Sequence, residues 1–161
     1  MSNHEPSVSQ AEVARRVDHF TDALRGSGFK LTHQRLEVVR EIASTNAHPD
    51  AEQLFKRVRE RVPTISLDTV YRTLGTLADL GLVSRVAGVG GATRYDANTS
   101  RHHHFVCARC GRIQDIDRSD VDEPHVPALV AGIGDVTSVE VRFNGVCRSC
   151  GQRDLCEAEG R

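Results

Sequence analysis

The sequence predicts an α+β chain built in two unlike parts, and three observations predict it. From residue 9 to residue 80, apolar side chains recur at spacings of three and four, the period of amphipathic helices. Two short strand-like runs, LVSRVAG and ATRYD, then flank Val89-Gly90-Gly91, the pattern of a β-hairpin. All five cysteines lie in the last third, four of them as two CxxC pairs. The 161 residues suffice for one ordinary domain or two small ones.

The elements follow in order. In residues 9–27, Val13, Val17, Phe20 and Leu24 share one helix face, and Ser9 with Glu12 fits a capping box. A second helix opens at Thr32 as N-cap and buries Leu36, Val39 and Ile42. A third follows His48-Pro49-Asp50, turns Leu54, Phe55, Val58 and Val62 inward, and ends at Pro63. Ser66 caps a fourth, LDTVYRTLGTLADLG, with Val70, Leu74, Leu77 and Leu80 inward and Gly81 closing it. Short helices followed by a hairpin make a winged helix-turn-helix. The polar run 97–101 reads as a hinge between a domain at 1–96 and another at 102–161. The second reads as strands at about 102–107, 112–117 and 137–144, with a short helix between the last two, a small α/β unit.

Composition excludes some classes of function and only appears to exclude another. A hydrophobic fraction of 39% and a charged fraction of 27% belong to a soluble globular chain. No apolar run approaches the roughly 20 residues that span a bilayer. The start MSNHEPSVSQ shows no secretory signal, so a cytoplasmic protein is expected. A net charge of -1 argues against a bulk basic surface for nucleic acid. The total hides a split: Arg25 to Tyr95 holds 11 basic and 7 acidic residues, while Asn98 onward holds 8 basic and 10 acidic.

Cys107, Cys110, Cys147 and Cys150 form two CxxC pairs separated by 36 residues. That spacing lets each tight turn present two sulfurs to one ion, and four thiolates around Zn²⁺ leave no open position. The expectation is a structural zinc site stapling a domain with little core of its own; free or redox thiols are the plainer alternative. Cys156 reads as an incidental tail thiol. In the run His102-His103-His104, strand alternation puts His102 and His104 on one face and His103 on the other. Two imidazoles so placed, with Asp96 and Asp115 nearby in sequence, could hold Fe²⁺, Mn²⁺ or Zn²⁺. A solvated His run at a domain edge stands beside that reading. On the fourth helix, Thr69, Tyr71, Arg72 and Thr73 form an outward set in the half that a winged helix inserts into the major groove. Lys30, Arg85 and Arg94 could reach the DNA backbone.

At this point the sequence resembles the ferric uptake regulator family of metal-responsive bacterial repressors. The match is carried by GFKLTHQR (28–35), AHPDAEQLF (47–55), SLDTVYRTLGTLADLGLV (66–83), RYD (94–96), HHHFVCARCGRIQDID (102–117) and GVCRSC (145–150). The resemblance implies a winged-helix DNA-binding domain, a hinge and an α/β dimerisation domain. It further implies a homodimer, or in some cases a tetramer, on A/T-rich palindromic double-stranded operators. By the same resemblance the four paired cysteines are the structural zinc site. His48, Asp96, His102, His104 and Asp115 are a regulatory Fe²⁺ or Mn²⁺ site built across the hinge. Two Asp beside three His resemble the peroxide-sensing branch, where His48 and His102 would be the imidazoles oxidised to 2-oxo-histidine, with loss of metal and of repression. A further metal site of many relatives is depleted, its places held by Arg101, His103 and Val139.

Iron sensing is the alternative within this class, ahead of zinc or manganese sensing. From other classes come a mononuclear non-haem iron enzyme and a zinc-ribbon adaptor. Both leave the winged-helix segment unused, so no catalytic residue is expected. One departure from the family concerns Asp122-Glu-Pro124-His-Val-Pro127, which interrupts the expected dimerisation helix and delays its start to near Pro127. His125, within this run, has no assigned role.

Overall fold

Each of the four α-helices of the N-terminal unit begins at a polar side chain that accepts a backbone N–H. A computed structural model describes residues 8–121 and 126–152, and the chain divides between Thr99 and Ser100, inside the 97–101 segment. Helix α1 (Gln10–Gly26) starts at Ser9, whose Oγ accepts from Glu12 N at 3.2 Å. The expected reciprocal box does not close there, because the Glu12 carboxylate turns forward to Arg15 and Arg16. Thr32 caps α2 (His33–Ala43). Asp50 caps α3 (Ala51–Arg61) in a full box with Gln53, a pairing absent from the sequence-based reading. Ser66 caps α4 (Leu67–Asp79). Gly81, at φ +70°, lets Leu82 N reach back to Leu77 O at 2.9 Å and ends that helix.

The helices share one core. Phe20 and Leu24 of α1 meet Val38, Val39 and Ile42 of α2, Leu54 and Val58 of α3, and Val70, Leu74 and Leu77 of α4. Each contributes about 1.5–3 kcal/mol by leaving water. Three expectations need correction. Leu80 is 40% exposed, because it is the C-cap residue and has left the helical face. Leu36 is only half-buried, and Val38 fills the core in its stead. Thr73 is fully buried rather than outward, its hydroxyl satisfied by donating to Thr69 O at 2.7 Å. Strands β1 (Ser84–Ala87) and β2 (Thr93–Asp96) pair antiparallel as the wing, with Arg85 opposite Tyr95. No helix of the described residues is long and apolar enough to cross a membrane.

The C-terminal unit is a three-stranded sheet in the order β4-β3-β5, from β3 (His102–Cys107), β4 (Ile113–Asp117) and β5 (Arg142–Gly145). β3 runs antiparallel to β4 and parallel to β5. The strand expected at 137–144 is shorter and later. Val141 gives its N–H to the His103 ring instead of a strand carbonyl, so the ladder begins at Arg142. Helix α5 is a single turn, Ala128–Ala131, with Pro127 at its N-cap, as the proline pair requires. Pro124, His125, Cys156 and the start of the chain lie outside the described residues.

Candidate metal centres and nucleic-acid interface

The four cysteine sulfurs gather at one end of the C-terminal sheet, within 4.8 Å of one another. Cys107 ends β3, and Gly111 at φ +69° folds the following turn back so that its N–H reaches Cys107 O at 3.0 Å. Cys110 Sγ and Cys147 Sγ stand 3.8 Å apart. That is the edge of a tetrahedron with metal–sulfur bonds of about 2.3 Å, and far beyond a disulfide's length of about 2.05 Å. Backbone amides serve the sulfurs: Cys147 N donates to Cys107 Sγ at 3.3 Å. The N–H of Cys110 above all, then those of Cys147 and Arg109, bring the Cys107 thiol down to about 6 against its burial. At Cys110 the Arg112 N–H pulls the same way, but burial and the three neighbouring sulfurs outweigh it and raise the thiol to about 11. Four sulfurs that must shed their protons in so small a volume favour a shared cation. The donor set fits tetrahedral zinc.

Two further groups of metal-ligating side chains occur, one in each unit. In the first, His48 Nε2 lies 3.6 Å from Asp96 Oδ2, and both side chains are fully buried. His48 sits at φ +49° immediately before Pro49, a conformation few non-glycine residues adopt. Tyr95 N donates to Pro49 O at 2.9 Å, fixing this bend against β2. Asn98 N donates to Asp96 Oδ1 at 2.7 Å.

In the second unit, His104 lies directly across the β3–β4 ladder from Asp115, and His102 two residues along shares their face. Asp115 Oδ1 is 3.5 Å from His102 Nε2 and 3.9 Å from His104 Nε2, and the two Nε2 atoms are 2.9 Å apart. The outer nitrogens determine what this means. His102 Nδ1 faces Ser100 O and His104 Nδ1 faces a Glu140 carboxylate oxygen, each at 2.7 Å. Both acceptors require a proton on Nδ1, so in the neutral rings both Nε2 lone pairs converge. Only a proton or a cation between them makes that arrangement favourable. Imidazole and carboxylate donors suit iron, manganese or zinc.

Helix α4 carries the nucleic-acid candidates. Tyr71 is 48% exposed, and Arg72 is exposed with its Nε 2.8 Å from Asp68 Oδ2. Thr69 is half-buried, its hydroxyl 2.9 Å from Ser66 Oγ, and Lys30 is exposed just before α2. On the wing, Arg85 reaches Asp79 at 2.9 Å. Arg94 differs from its expected role at the DNA backbone. It is mostly buried and bonds Gln53 at 2.7 Å beside Asp50, tying the wing to the start of α3.

A profile of the ferric uptake regulator family matches residues 26–142. The peroxide-responsive repressor PerR of Staphylococcus epidermidis is 32% identical over 144 residues, spanning 89% of this chain and 96% of that protein. The chain belongs to the ferric uptake regulator family. Among solved family structures, the Vibrio cholerae ferric uptake regulator superposes with a TM-score of 0.63 at 27% identity, covering 79% of this chain and 98% of that one. The Campylobacter jejuni peroxide stress regulator gives 0.57 at 25% identity, covering 89% and 100%.

Family membership accounts for the residues read from the sequence but not for Glu140. This carboxylate is 36 positions from His104 in the chain and orients the ring from behind. No spacing rule links the two. The resemblance supplied the candidate ligands, and only the fold supplies what holds them.

Proposed function

We propose that this chain is a metal-dependent, peroxide-responsive transcription repressor that binds double-stranded operator DNA as a homodimer. The observation that carries the reading is the pair of imidazoles, His102 and His104, held from behind so that both Nε2 atoms converge beside Asp115. In the functional state His48 and Asp96 join this trio, forming one regulatory site from ligands of both domains. Metal there ties the DNA-binding domain to the dimerisation domain. It shifts the conformational equilibrium by its preference for the joined state. Zinc at the four cysteines keeps the C-terminal sheet folded and takes no part in sensing.

The DNA surface is the exposed face of α4, with Thr69, Tyr71 and Arg72 toward base edges and Lys30 and Arg85 toward phosphates. The operator is expected to be an A/T-rich palindrome, matching a two-fold protein. Dimerisation is supported by apolar side chains left on the surface of the second unit, Leu129 at 78% and Ile133 at 80% exposure among them. A tetramer is a larger assembly open to the same surface.

His48, Asp96, His102, His104 and Asp115 would hold Fe²⁺, which would supply the reducing chemistry toward peroxide beside these side chains. His48 and His102 would be the rings that gain an oxygen, which would weaken their donor nitrogens and release the protein from DNA. Mn²⁺ supports the same DNA-binding form without that reaction. The test is peptide mass mapping after low peroxide, on protein loaded with Fe²⁺ or with Mn²⁺. A gain of one oxygen on the His48 or His102 peptides with Fe²⁺ alone is expected. Oxidation confined to cysteines, or none, transfers the assignment to iron sensing.

A further inference from the structure

Loop residues 48–50 and strand residues 94–96 meet in antiparallel order, one contact per residue. His48 Nε2 lies 3.6 Å from Asp96 Oδ2, Tyr95 N donates to Pro49 O at 2.9 Å, and Arg94 Nη1 lies 3.4 Å from Asp50 Oδ2. Pro49 has no N–H, so the backbone cannot return a second bond at the middle rung. The rungs on either side are made by side chains. Strand alternation puts Arg94 and Asp96 on one face of β2 and Tyr95 on the other. Arg94 Nη1 also donates to Gln53 Oε1 at 2.7 Å, the oxygen that accepts from Asp50 N at 3.1 Å. One nitrogen is thus closed on both members of the α3 capping box. A Cβ at Gly88 would meet Ala92 O at 2.8 Å and Arg94 Cγ at 3.2 Å, so glycine leaves the slot in which the Arg94 stem runs.

The placement of His48 opposite Asp96 follows the two backbones beneath them. A single backbone bond joins loop to strand, and His48 at φ +49° has little latitude to aim its ring again if the loop lifts. The arginine is the charged end of the same strap, and its side chain is only 15% exposed, where a charge-assisted bond is strong. We propose that Arg94 is a positioning residue for His48 and Asp96. Its guanidinium, closed on Asp50 and Gln53, holds the 48–50 loop against β2 and so sets the separation of the two side chains. Because β2 is a strand of the wing, metal held by His48 and Asp96 would be linked through these contacts to the placement of the wing. The metal part rests on the regulatory-site reading above; the hold of Arg94 on the loop does not.

The test uses the full-length, zinc-loaded protein and three variants. Arg94→Met keeps the apolar stem and drops the guanidinium, Asp50→Asn keeps the helix cap and drops the charge, and the third combines them. Amide hydrogen exchange, read by NMR without regulatory metal, compares Tyr95 N–H with Leu82 N–H, which donates to Leu77 O elsewhere in the same unit. Arg94→Met should speed Tyr95 exchange about tenfold, the loss of one charge-assisted hydrogen bond, and leave Leu82 unchanged. Mn²⁺ affinity, titrated by electron paramagnetic resonance, should fall about tenfold in the same variant. The double variant should be no worse than Arg94→Met in either measurement, because the contact is already gone. The proposal is overturned by unchanged Tyr95 exchange in Arg94→Met, by Tyr95 and Leu82 exchange rising together, by Mn²⁺ affinity equal to the parent's while Tyr95 loosens, or by additive losses in the double variant. If His48→Ala leaves Mn²⁺ affinity at the parent's value, the regulatory-site reading fails instead, and the exchange data alone decide whether Arg94 holds the loop.

Discussion

The Tyr95 N–H donates to Pro49 O at 2.9 Å, and this one backbone bond sets the loop before α3 against the wing strand. It leaves His48 in the left-handed region beside Asp96. A buried imidazole held in that conformation costs about 1–3 kcal/mol, the kind of strain found where a side chain must be aimed. His48→Gly and His48→Ala remove the same ring but differ in backbone freedom. The glycine variant should be the more stable by about 1 kcal/mol in urea unfolding, and both should fail to retain regulatory metal. Equal stability would show that the loop relaxes once the ring is gone.

Zinc is expected to be structural. Cys107→Ser should release zinc and unfold the C-terminal sheet while the helices of the first unit persist. Far-ultraviolet circular dichroism with zinc analysis separates the two. A mild chelator applied to the parent protein should strip regulatory metal and abolish operator binding with zinc still in place; metal-independent operator binding would contradict the switch.

Glu37 provides a pH-dependent contribution to the first unit. Burial alone would raise its carboxyl, but hydrogen bonds from Arg40 and Arg61 outweigh this and hold it below the ordinary range. The stabilisation is therefore complete above the ordinary carboxylate value and is lost as pH falls through the lowered one. Both arginines are half in water, which screens the pair. Glu37→Gln should cost about 1 kcal/mol at neutral pH, with the difference shrinking on acidification in thermal melts.

On α4, Arg72→Ala should weaken operator binding by about 1–3 kcal/mol if it reads a base, or lower the salt slope by about 1 if it holds a phosphate. Binding measured against salt concentration distinguishes the roles. Thr73→Lys should instead unfold the unit, because Thr73 has no exposure.

Leu129 and Ile133 test the assembly. Replacing both by Asp should shift the protein from dimer to monomer in sedimentation while leaving each chain folded, since neither is part of a buried core.

The sequence carries the helices well because each has a cap and an unbroken apolar face: Ser9, Thr32 and Ser66 cap where expected, and Leu54, Leu74 and Leu77 are buried as their spacing requires. It fails where one position must serve two patterns. Leu80 matches the helical period but falls at the cap, and Thr73 reads as polar but resolves its hydroxyl inside its own helix. β5 could not be bounded because a side chain, His103, displaces the strand partner of Val141. The candidate ligand histidines were legible through family resemblance, whereas Glu140 acts across the fold without a local signature.

β3 is six residues long and carries His102 and His104 on one face, His103 on the other, and Cys107 at its end, opposite Gly145 of β5. A slip of one residue along its neighbours would exchange the faces and offer a lone imidazole where two are needed. Zinc shared by the four sulfurs would fix the strand's last position, Cys107, and so oppose the slip. Zinc loss would thus disable sensing by misalignment, even with every sensing residue intact.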